Sequence, residues 1–247
     1  MRPPSIGICG ITGKLGQEIV SALKPTLPAG GYTRNPDLLT AGMTNDLSKL
    51  YGLSDVILDV SHPTLTQQIC ETIPKGKYLV IGTTGLSEAI WDLIAQTSQR
   101  VPVLYSANFS VAMTVLTHIS GLIARHLPDY MIDITDMHHA HKRDAPSGTA
   151  QELARVMASA RQWSRQHIKT TLPHGPRDPD TIHISSHRAG GIPGTHTVYF
   201  SSSQEQLTIA HQAFSRRAFA EGAILAAQWI QKQPLGLYSM ANVLGMS

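Results

Sequence analysis

Apolar and polar positions in the first half of the chain switch repeatedly between a strand period and a helix period. Ile6 to Cys9 is a short apolar run, followed by a glycine turn and a helical pattern through about Leu23. Asp55 to Ser61, "DVILDVS", is almost continuously apolar, as in a strand buried on both faces of a parallel sheet. Thr64 to Ile73 predicts a helix, Tyr78 to Ile81 a strand, Ser87 to about Gln99 a helix and Val101 to Ser106 a further strand. Strands separated by helices imply right-handed crossovers and a doubly wound α/β sheet.

The rhythm then changes. A helix from about Val111 to Arg125 precedes a strand over Tyr130 to His138 and a helix over Thr149 to Ala160. Thr181 to His187, Thr197 to Ser202 and Leu207 to His211 follow as strands with no helix between them, an α+β pattern that predicts a second domain with an open or mixed sheet. Near Phe219 to Gln231, Phe219, Ala223, Ala226 and Ile230 recur at helix-face spacing. The sequence carries no internal repeat.

Composition narrows the function classes. The 247 residues are 42% hydrophobic, enough for a sizeable core, and the net charge is only +3. No Lys/Arg run forms a nucleic-acid stripe, so the surplus suits small anionic ligands. The two cysteines, Cys9 and Cys70, have no metal-knuckle spacing and form no disulfide framework, which points to a reducing, cytoplasmic setting. The first residues show no signal-peptide apolar stretch. Val101 to Ala124 carries no charged residue and has the length of a membrane span. Its Pro102, Ser106, Asn108, Ser110, Thr114, Thr117, His118 and Ser120 fit a strand, a loop and a helix better, so no membrane partner is expected.

Gly10, Gly13 and Gly16 follow the first strand and open the first helix. Bare glycines there let the backbone approach a pyrophosphate, whose charge rests on helix N–H groups. The spacing is GxxGxxG, with Thr12 in the slot where dinucleotide-binding turns usually carry glycine, so a tight turn without a nucleotide remains the alternative. About 20 residues on, such domains usually place an acid on the ribose 2′-OH. Here "GGYTRNP" offers Thr33 and Arg34 and no carboxylate before Asp37. A guanidinium without an acid favours a 2′-phosphate, hence NADPH over NADH, unless Arg34 is simply a solvated loop residue. "GTTG" at Gly82 and "SANFS" at Ser106 follow predicted parallel strands, at the ends where open α/β sheets bind ligands, although either is also ordinary turn chemistry.

Residues 136–150, "DMHHAHKRDAPSGTA", concentrate ionisable groups ahead of a helix start. Three readings compete. A metal site on His138, His139 and His141 lacks HExxH spacing, and His183 and His187 lie four apart in a strand, so no metal is expected. A solvated loop leaves the sequel unexplained. Thr149 and Glu152 make a capping-box pattern, and Ser, Gly and Thr at a helix start offer N–H groups to an anion. Histidines and Lys142 beside that start suit an acidic substrate and a proton transfer.

"HHAHKRDAPSGTA" closely resembles the signature of the dihydrodipicolinate (4-hydroxy-tetrahydrodipicolinate) reductase family, and the similarity spans the chain. It continues through the Gly10, Gly82 and Ala107 motifs, "RAGGIPGTHTVYF" from Arg188, "HQAFSRRAFAEGAILAAQW" from His211 and "GLYSMANVLG" from Gly236. The resemblance implies a Rossmann-type nucleotide domain of residues 1–109 plus 217–247, with an inserted α+β substrate-binding and tetramerisation domain of residues 110–216. It implies a cofactor, NADPH or NADH, held by Gly10, Ile11, Thr12, Gly13, Lys14 and Leu15, with Thr33 and Arg34 at the ribose. Gly82, Thr83 and Thr84, with Ser106, Ala107, Asn108 and Phe109, would line the nicotinamide side. His138 would be the proton donor and acceptor and Lys142 a proton donor. His139, Gly148 and Thr149 would hold the carboxylates of a cyclic dicarboxylate, reduced with loss of water in lysine and diaminopimelate biosynthesis by a homotetramer. The sequence departs from the family pattern at Thr33, where an acid is usual, at Ala112, where glycine is common, and across residues 161–180. Two other classes compete: another two-domain NAD(P) oxidoreductase sharing only the nucleotide half, and a non-catalytic NADP sensor, which needs no proton donor.

Overall fold

The computed structural model describes residues 4–23, 30–38, 40–171 and 175–246. Two compact units emerge, one of Met1–Val111 with Arg216–Ser247, the other of Ala112–Ser215. The first contains β1 (Ile6–Cys9), α1 (Lys14–Ala22), β2 (Gly30–Tyr32), β3 (Met43–Thr44), α2 (Leu47–Leu53), β4 (Val56–Asp59), α3 (Pro63–Thr72), β5 (Tyr78–Ile81), α4 (Glu88–Ser98) and β6 (Val103–Tyr105). The second contains most of α5 (Val111–His126), then β7 (Met131–His138), α6 (Gly148–Ala160), β8 (Ile168–Lys169), β9 (Ile182–Arg188), β10 (Thr195–Ser201) and β11 (Gln206–Gln212). The chain returns to the first unit with α7 (Arg217–Ile230), β12 (Leu237–Tyr238) and α8 (Met240–Val243).

The sheet of the first unit runs β12-β6-β5-β4-β1-β2-β3, and every pairing in it is parallel. Alternate side chains of each central strand enter different layers. Val56 and Leu58 of β4 pack with α1 and α7, while Ile57 packs with α3 and α4 residues; Val80 and Leu79 of β5 divide the same way. That double burial is why these strands read as unbroken apolar runs. The order reverses beside β1, so the loops after β1 and β4 flank the switch point where such sheets bind ligands.

The sheet of the second unit is mixed, in the order β11-β10-β7-β9-β8. β7 pairs antiparallel with β10 and parallel with β9. Ile132, Ile134, Val198, Phe200, Ile182 and Ile184 meet residues of α5 and α6 on one face, and the alternating burial of β7 and β10 leaves the other face partly open. Residues 161–171, unassigned from sequence, form a turn and β8, and Arg177 anchors the segment before β9 to Asp133 and the carbonyls of Ile132 and Thr181. Ala112 sits in the first turn of α5 with its methyl exposed, so the side chain meets no obstruction.

One local expectation fails. The cap of α6 is Ser147, whose Oγ accepts from the Ala150 N–H at 3.2 Å, rather than Thr149. Glu152 therefore lies two positions too deep for a capping box and pairs instead with Arg155 at 2.6 Å. Val101–Ala124 resolves into β6, a loop and α5, and no helix among the described residues is long and apolar enough to cross a membrane.

Close packing of α7 depends on one missing side chain. A Cβ on Gly222 would stand 1.8 Å from the Phe109 carbonyl oxygen, a backbone atom that cannot swing away. Gly222→Ala should cost about 3 kcal/mol, the upper end for overpacking. Gly52 of α2 meets nothing within 4 Å and has ordinary helical backbone, so Gly52→Ala should instead add about 0.5–1 kcal/mol. Urea midpoints of the two variants, moving in opposite directions from the parent, check the pair.

Candidate active site and nucleotide cradle

Strand register assembles the polar centre of the second unit. Inward positions on β7 run Ile132, Ile134, Asp136, His138, so the covered face turns from apolar to ionisable toward the strand's end. Register sets His196 of β10 and Ser186 of β9 opposite Asp136, and Arg188 of β9 opposite His138. Asp136 is fully buried. Its Oδ2 accepts from the Ser147 backbone N–H at 2.8 Å, Arg188 Nη2 at 3.0 Å and Ser186 Oγ at 3.3 Å. Its Oδ1 lies 2.9 Å from His138 Nδ1 and 3.4 Å from His196 Nε2. Oδ1 and Nδ1 meet at ion-pair distance with the N–H axis off the line between them, and neither has another hydrogen-bond partner. Burial pushes the Asp136 carboxyl up, but His138, His196, the Ser147 N–H and Arg188 together outweigh it and hold the group well below the usual carboxylate range.

The same carboxylate pins the helix start. Ser147 gives its N–H to Asp136, and its Oγ lies 3.1 Å from His196 Nε2. Gly148 and Thr149 then form the first turn of α6, the helix end whose N–H groups point outward along the axis, with open space where a Gly148 Cβ would stand. Arg188 Nη2 also donates to the Asp144 carbonyl at 2.6 Å, tying the loop after His138 to the strand. Lys142 Nζ sits 2.8 Å from Asp144 Oδ1, a contact the sequence reading overlooked. Burial raises the Asp144 carboxyl, and the adjoining Lys142 ammonium more than reverses that. His139 is half-buried beside the exposed His141, with ring centroids 6.4 Å apart.

Asp136, His138 and His196 bring candidate metal-ligand atoms within 4.8 Å of one another, a grouping that spacing alone did not reveal. The Arg188 guanidinium, 3.0 Å from the same carboxylate, already supplies the positive charge a cation would bring. A second cation beside this carboxylate would meet that guanidinium's repulsion.

In the first unit the surface expected to hold the cofactor is mostly backbone. Gly10 has φ +85°, and a Cβ there would lie 2.5 Å from the Val60 carbonyl oxygen. A Cβ on Gly16 would lie 2.2 Å from the Gly10 carbonyl oxygen, so α1 starts hard against the end of β1. The N-cap of α1 is Gly13, with no side chain on the first-turn N–H groups. Such a start fits a pyrophosphate. Thr12, Gly13 and Lys14 are exposed there, whereas Ile11 is buried against Gly31 and Leu15 packs on the core.

The remaining predicted cofactor residues divide in the same way. Thr33 is buried with its Oγ1 accepting from the Asn35 N–H at 3.3 Å, while Arg34 is exposed. Thr84 and Ala107 are exposed; Ser106 and Asn108 brace each other, Ser106 Oγ donating to the Asn108 carbonyl at 2.6 Å. Phe109 is a core residue whose ring fills the space beside Gly82. Thr83 is buried, donating to Asp59 Oδ2 at 3.1 Å and accepting from the Ser61 N–H at 3.0 Å. Asp59, hidden in an apolar strand, was not singled out from sequence. Burial raises its carboxyl, and hydroxyls of Ser61, Thr66 and Thr83 offset part of that.

The depressed Asp136 carboxyl gives a signed stability prediction. Because the folded-state value lies below the unfolded one, its contribution is present above about pH 4 and is lost as acid protonates the unfolded chain first. Asp136→Asn should flatten the decline in unfolding free energy below pH 4 by up to about 1.4 kcal/mol per pH unit. Urea titrations of parent and variant between about pH 4 and pH 2.5 measure this slope.

Comparison with known proteins places the whole arrangement. The profile described as dihydrodipicolinate reductase, N-terminus, matches residues 4–109, and the one described as dihydrodipicolinate reductase, C-terminus, matches residues 112–244. The chain is 39% identical over 246 residues to the 4-hydroxy-tetrahydrodipicolinate reductase of Gluconobacter oxydans, covering 98% of this chain and 97% of that one. It is 39% identical over 247 residues to the enzyme of the same name from Campylobacter jejuni, covering 98% and 99%. Among solved structures it resembles a dipicolinate-bound dihydrodipicolinate reductase from Paenisporosarcina, with TM-score 0.71 and 23% identity over 95% of this chain and 96% of that one. An aspartate dehydrogenase from Thermotoga maritima shares the fold more loosely, with TM-score 0.55 and 10% identity over 95% of this chain and all of that one. The profiles match both halves, including the segment bearing His138 and Lys142, which a protein sharing only the nucleotide half would not do. The chain belongs to the dihydrodipicolinate reductase family.

Proposed function

We propose that this chain reduces (2S,4S)-4-hydroxy-2,3,4,5-tetrahydrodipicolinate to tetrahydrodipicolinate, with loss of water, in lysine and diaminopimelate biosynthesis. Family membership across both halves supports the reaction. The observation that carries the roles is the pairing of buried His138 with Asp136, which also holds the first turn of α6. A bound nicotinamide supplies the hydride. His138 delivers the proton taken up by the electron pair displaced in the substrate, a task an imidazole performs near neutral pH. His139 and the N–H groups of Gly148 and Thr149 bind substrate carboxylates. Lys142 assists as a second donor and draws a carboxylate in competition with Asp144.

Residues 1–109 with 217–247 serve the cofactor in this reading, and residues 110–216 serve the substrate and assembly. Gly10, Ile11, Thr12, Gly13, Lys14 and Leu15 act mainly through backbone on the pyrophosphate. Gly82, Thr83 and Thr84 with Ser106, Ala107, Asn108 and Phe109 shape the nicotinamide side, the buried Thr83 and Phe109 by fixing its walls. Buried Thr33 shapes the turn that presents exposed Arg34 to a 2′-phosphate, which favours NADPH over NADH. β11, an edge strand with exposed Leu207 and a nearby exposed Phe214, supports sheet contacts between copies in a homotetramer. Two buried free thiols, Cys9 and Cys70, suit a cytoplasmic setting.

Cofactor choice is testable at Arg34. Arg34→Ala should raise the KM for NADPH roughly tenfold or more, as loss of a charge-assisted contact of about 1.5–3 kcal/mol predicts, and leave that for NADH nearly unchanged. Equal effects on both cofactors would contradict the assignment.

Turnover, followed by nicotinamide absorbance with substrate generated in situ, separates His138 from Lys142. His138→Ala should lower kcat by about 10²–10⁴-fold with little change in substrate KM. Lys142→Ala should lower kcat and also raise substrate KM, because a charged contact to a carboxylate goes. NADPH binding measured alone should survive both changes. Normal turnover with a lowered Tm would reduce the cluster to a structural role.

A further inference from the structure

We infer that Asp136 is the positioning residue of the reaction: through Nδ1 it fixes the His138 ring so that Nε2 is the nitrogen that gives the proton. This rests on the role of His138 proposed above. The argument turns on which groups surround each carboxylate oxygen. Everything around Oδ2 is a donor: the Ser147 N–H at 2.8 Å, Arg188 Nη2 at 3.0 Å and Ser186 Oγ at 3.3 Å. That leaves Oδ1 for the imidazoles, and His138 Nδ1 is its nearest neighbour at 2.9 Å. Both atoms are buried and make no hydrogen bond elsewhere, while His196 Nε2, farther from Oδ1 at 3.4 Å, also lies 3.1 Å from Ser147 Oγ. An acceptor-only oxygen opposite Nδ1 requires Nδ1 to carry hydrogen, and the neutral ring then leaves Nε2 as its base. Protonated, the ring donates from Nε2 while Nδ1–H stays on the carboxylate.

Space is reserved on the other side of the ring. A Cβ on Gly194 would stand 3.0 Å from His138 Nε2, so only glycine there leaves this nitrogen uncrowded. His196 closes the edge, with its ring centroid 5.2 Å from that of His138. Arg188 keeps the carboxylate ionised and aimed, and it touches the loop rather than the imidazole.

The isosteric change Asp136→Asn tests this by reversing one polarity. Three donors claim the amide oxygen at the Oδ2 position, so the NH2 group must take the Oδ1 position, facing Nδ1. Nδ1 must then accept, the neutral ring carries hydrogen on Nε2, and the doubly protonated ring meets a donor head-on. We expect kcat to fall 10²–10⁴-fold, with KM for substrate and cofactor within about threefold of the parent. Nitrogen-15 spectra of histidine-labelled protein, recorded at alkaline pH and assigned with His138→Ala, should show His138 protonated at Nδ1 in the parent and at Nε2 in Asp136→Asn. Should the variant not fold, the parent spectrum alone decides. Nε2–H in the parent, or undiminished kcat in folded Asp136→Asn, overturns the inference while His138→Ala remains inactive. Full turnover in His138→Ala would instead overturn the underlying role of His138.

Discussion

A carboxylate sealed inside a protein is tolerable only if nearly every lone pair finds a donor, and Asp136 organises the second unit on that condition. Removing such a group from water costs several kcal/mol before compensation. Compensation here is drawn from four places: β9 through Arg188 and Ser186, β10 through His196, the α6 start through Ser147, and β7 itself through His138. Each of these elements is held in register partly by the need to reach one carboxylate. The sheet order β10-β7-β9 puts Asp136 on the central strand, where both neighbours can supply side chains. The His138 imidazole and the start of α6 thereby share one anchor. That sharing fixes their separation without any loop having to define it.

Much of the fold was legible because its signals are local. β1 and β5 match the predicted Ile6–Cys9 and Tyr78–Ile81 at both ends, since a strand buried on two faces needs apolar residues throughout. Longer helices were displaced by only a residue or two. β2, β3, β8 and β12 have two or three residues each and contain no full period, so pattern gave no notice of them as strands. At α6 the capping-box spacing pointed to Thr149, and the helix is capped by Ser147 instead. Ser147 prevails because its N–H and Oγ are both engaged by Asp136 and His196, a tertiary advantage invisible to local spacing.

The candidate site was legible where its residues cluster along the chain and hidden in its support. His138, His139, Lys142, Gly148 and Thr149 lie within one short stretch, where clustering of ionisable groups before a helix stands out. Asp136 was visible in that stretch as one aspartate among others, but its partners Arg188 and His196 come from separate strands and meet it only through register. Period-two alternation did carry a partial signal: Asp136 and His138 share the inward face with Ile132 and Ile134, and an acid on an apolar face calls for a partner. Asp59 escaped for the same reason in reverse, since its apolar neighbours made the whole strand read as core.

The glycine turn of the first unit and the Asp136 cluster of the second are built from different materials, and this determines what each tolerates. Around Gly10 and Gly16 the surface offered is peptide N–H, and the constraint is that Cβ atoms be missing where Val60 and Gly10 carbonyls crowd in. Side-chain identity matters less at Thr12 or Lys14 than the path of the backbone does. Around Asp136 the backbone is regular strand, and identity is everything, because donors and acceptors must alternate through a buried chain of contacts. Exchanging oxygen for an amide nitrogen changes no volume there, yet it inverts a hydrogen-bond polarity that the neighbouring imidazole must follow. Steric rules therefore govern the glycine turn, and hydrogen-bond polarity governs the Asp136 cluster.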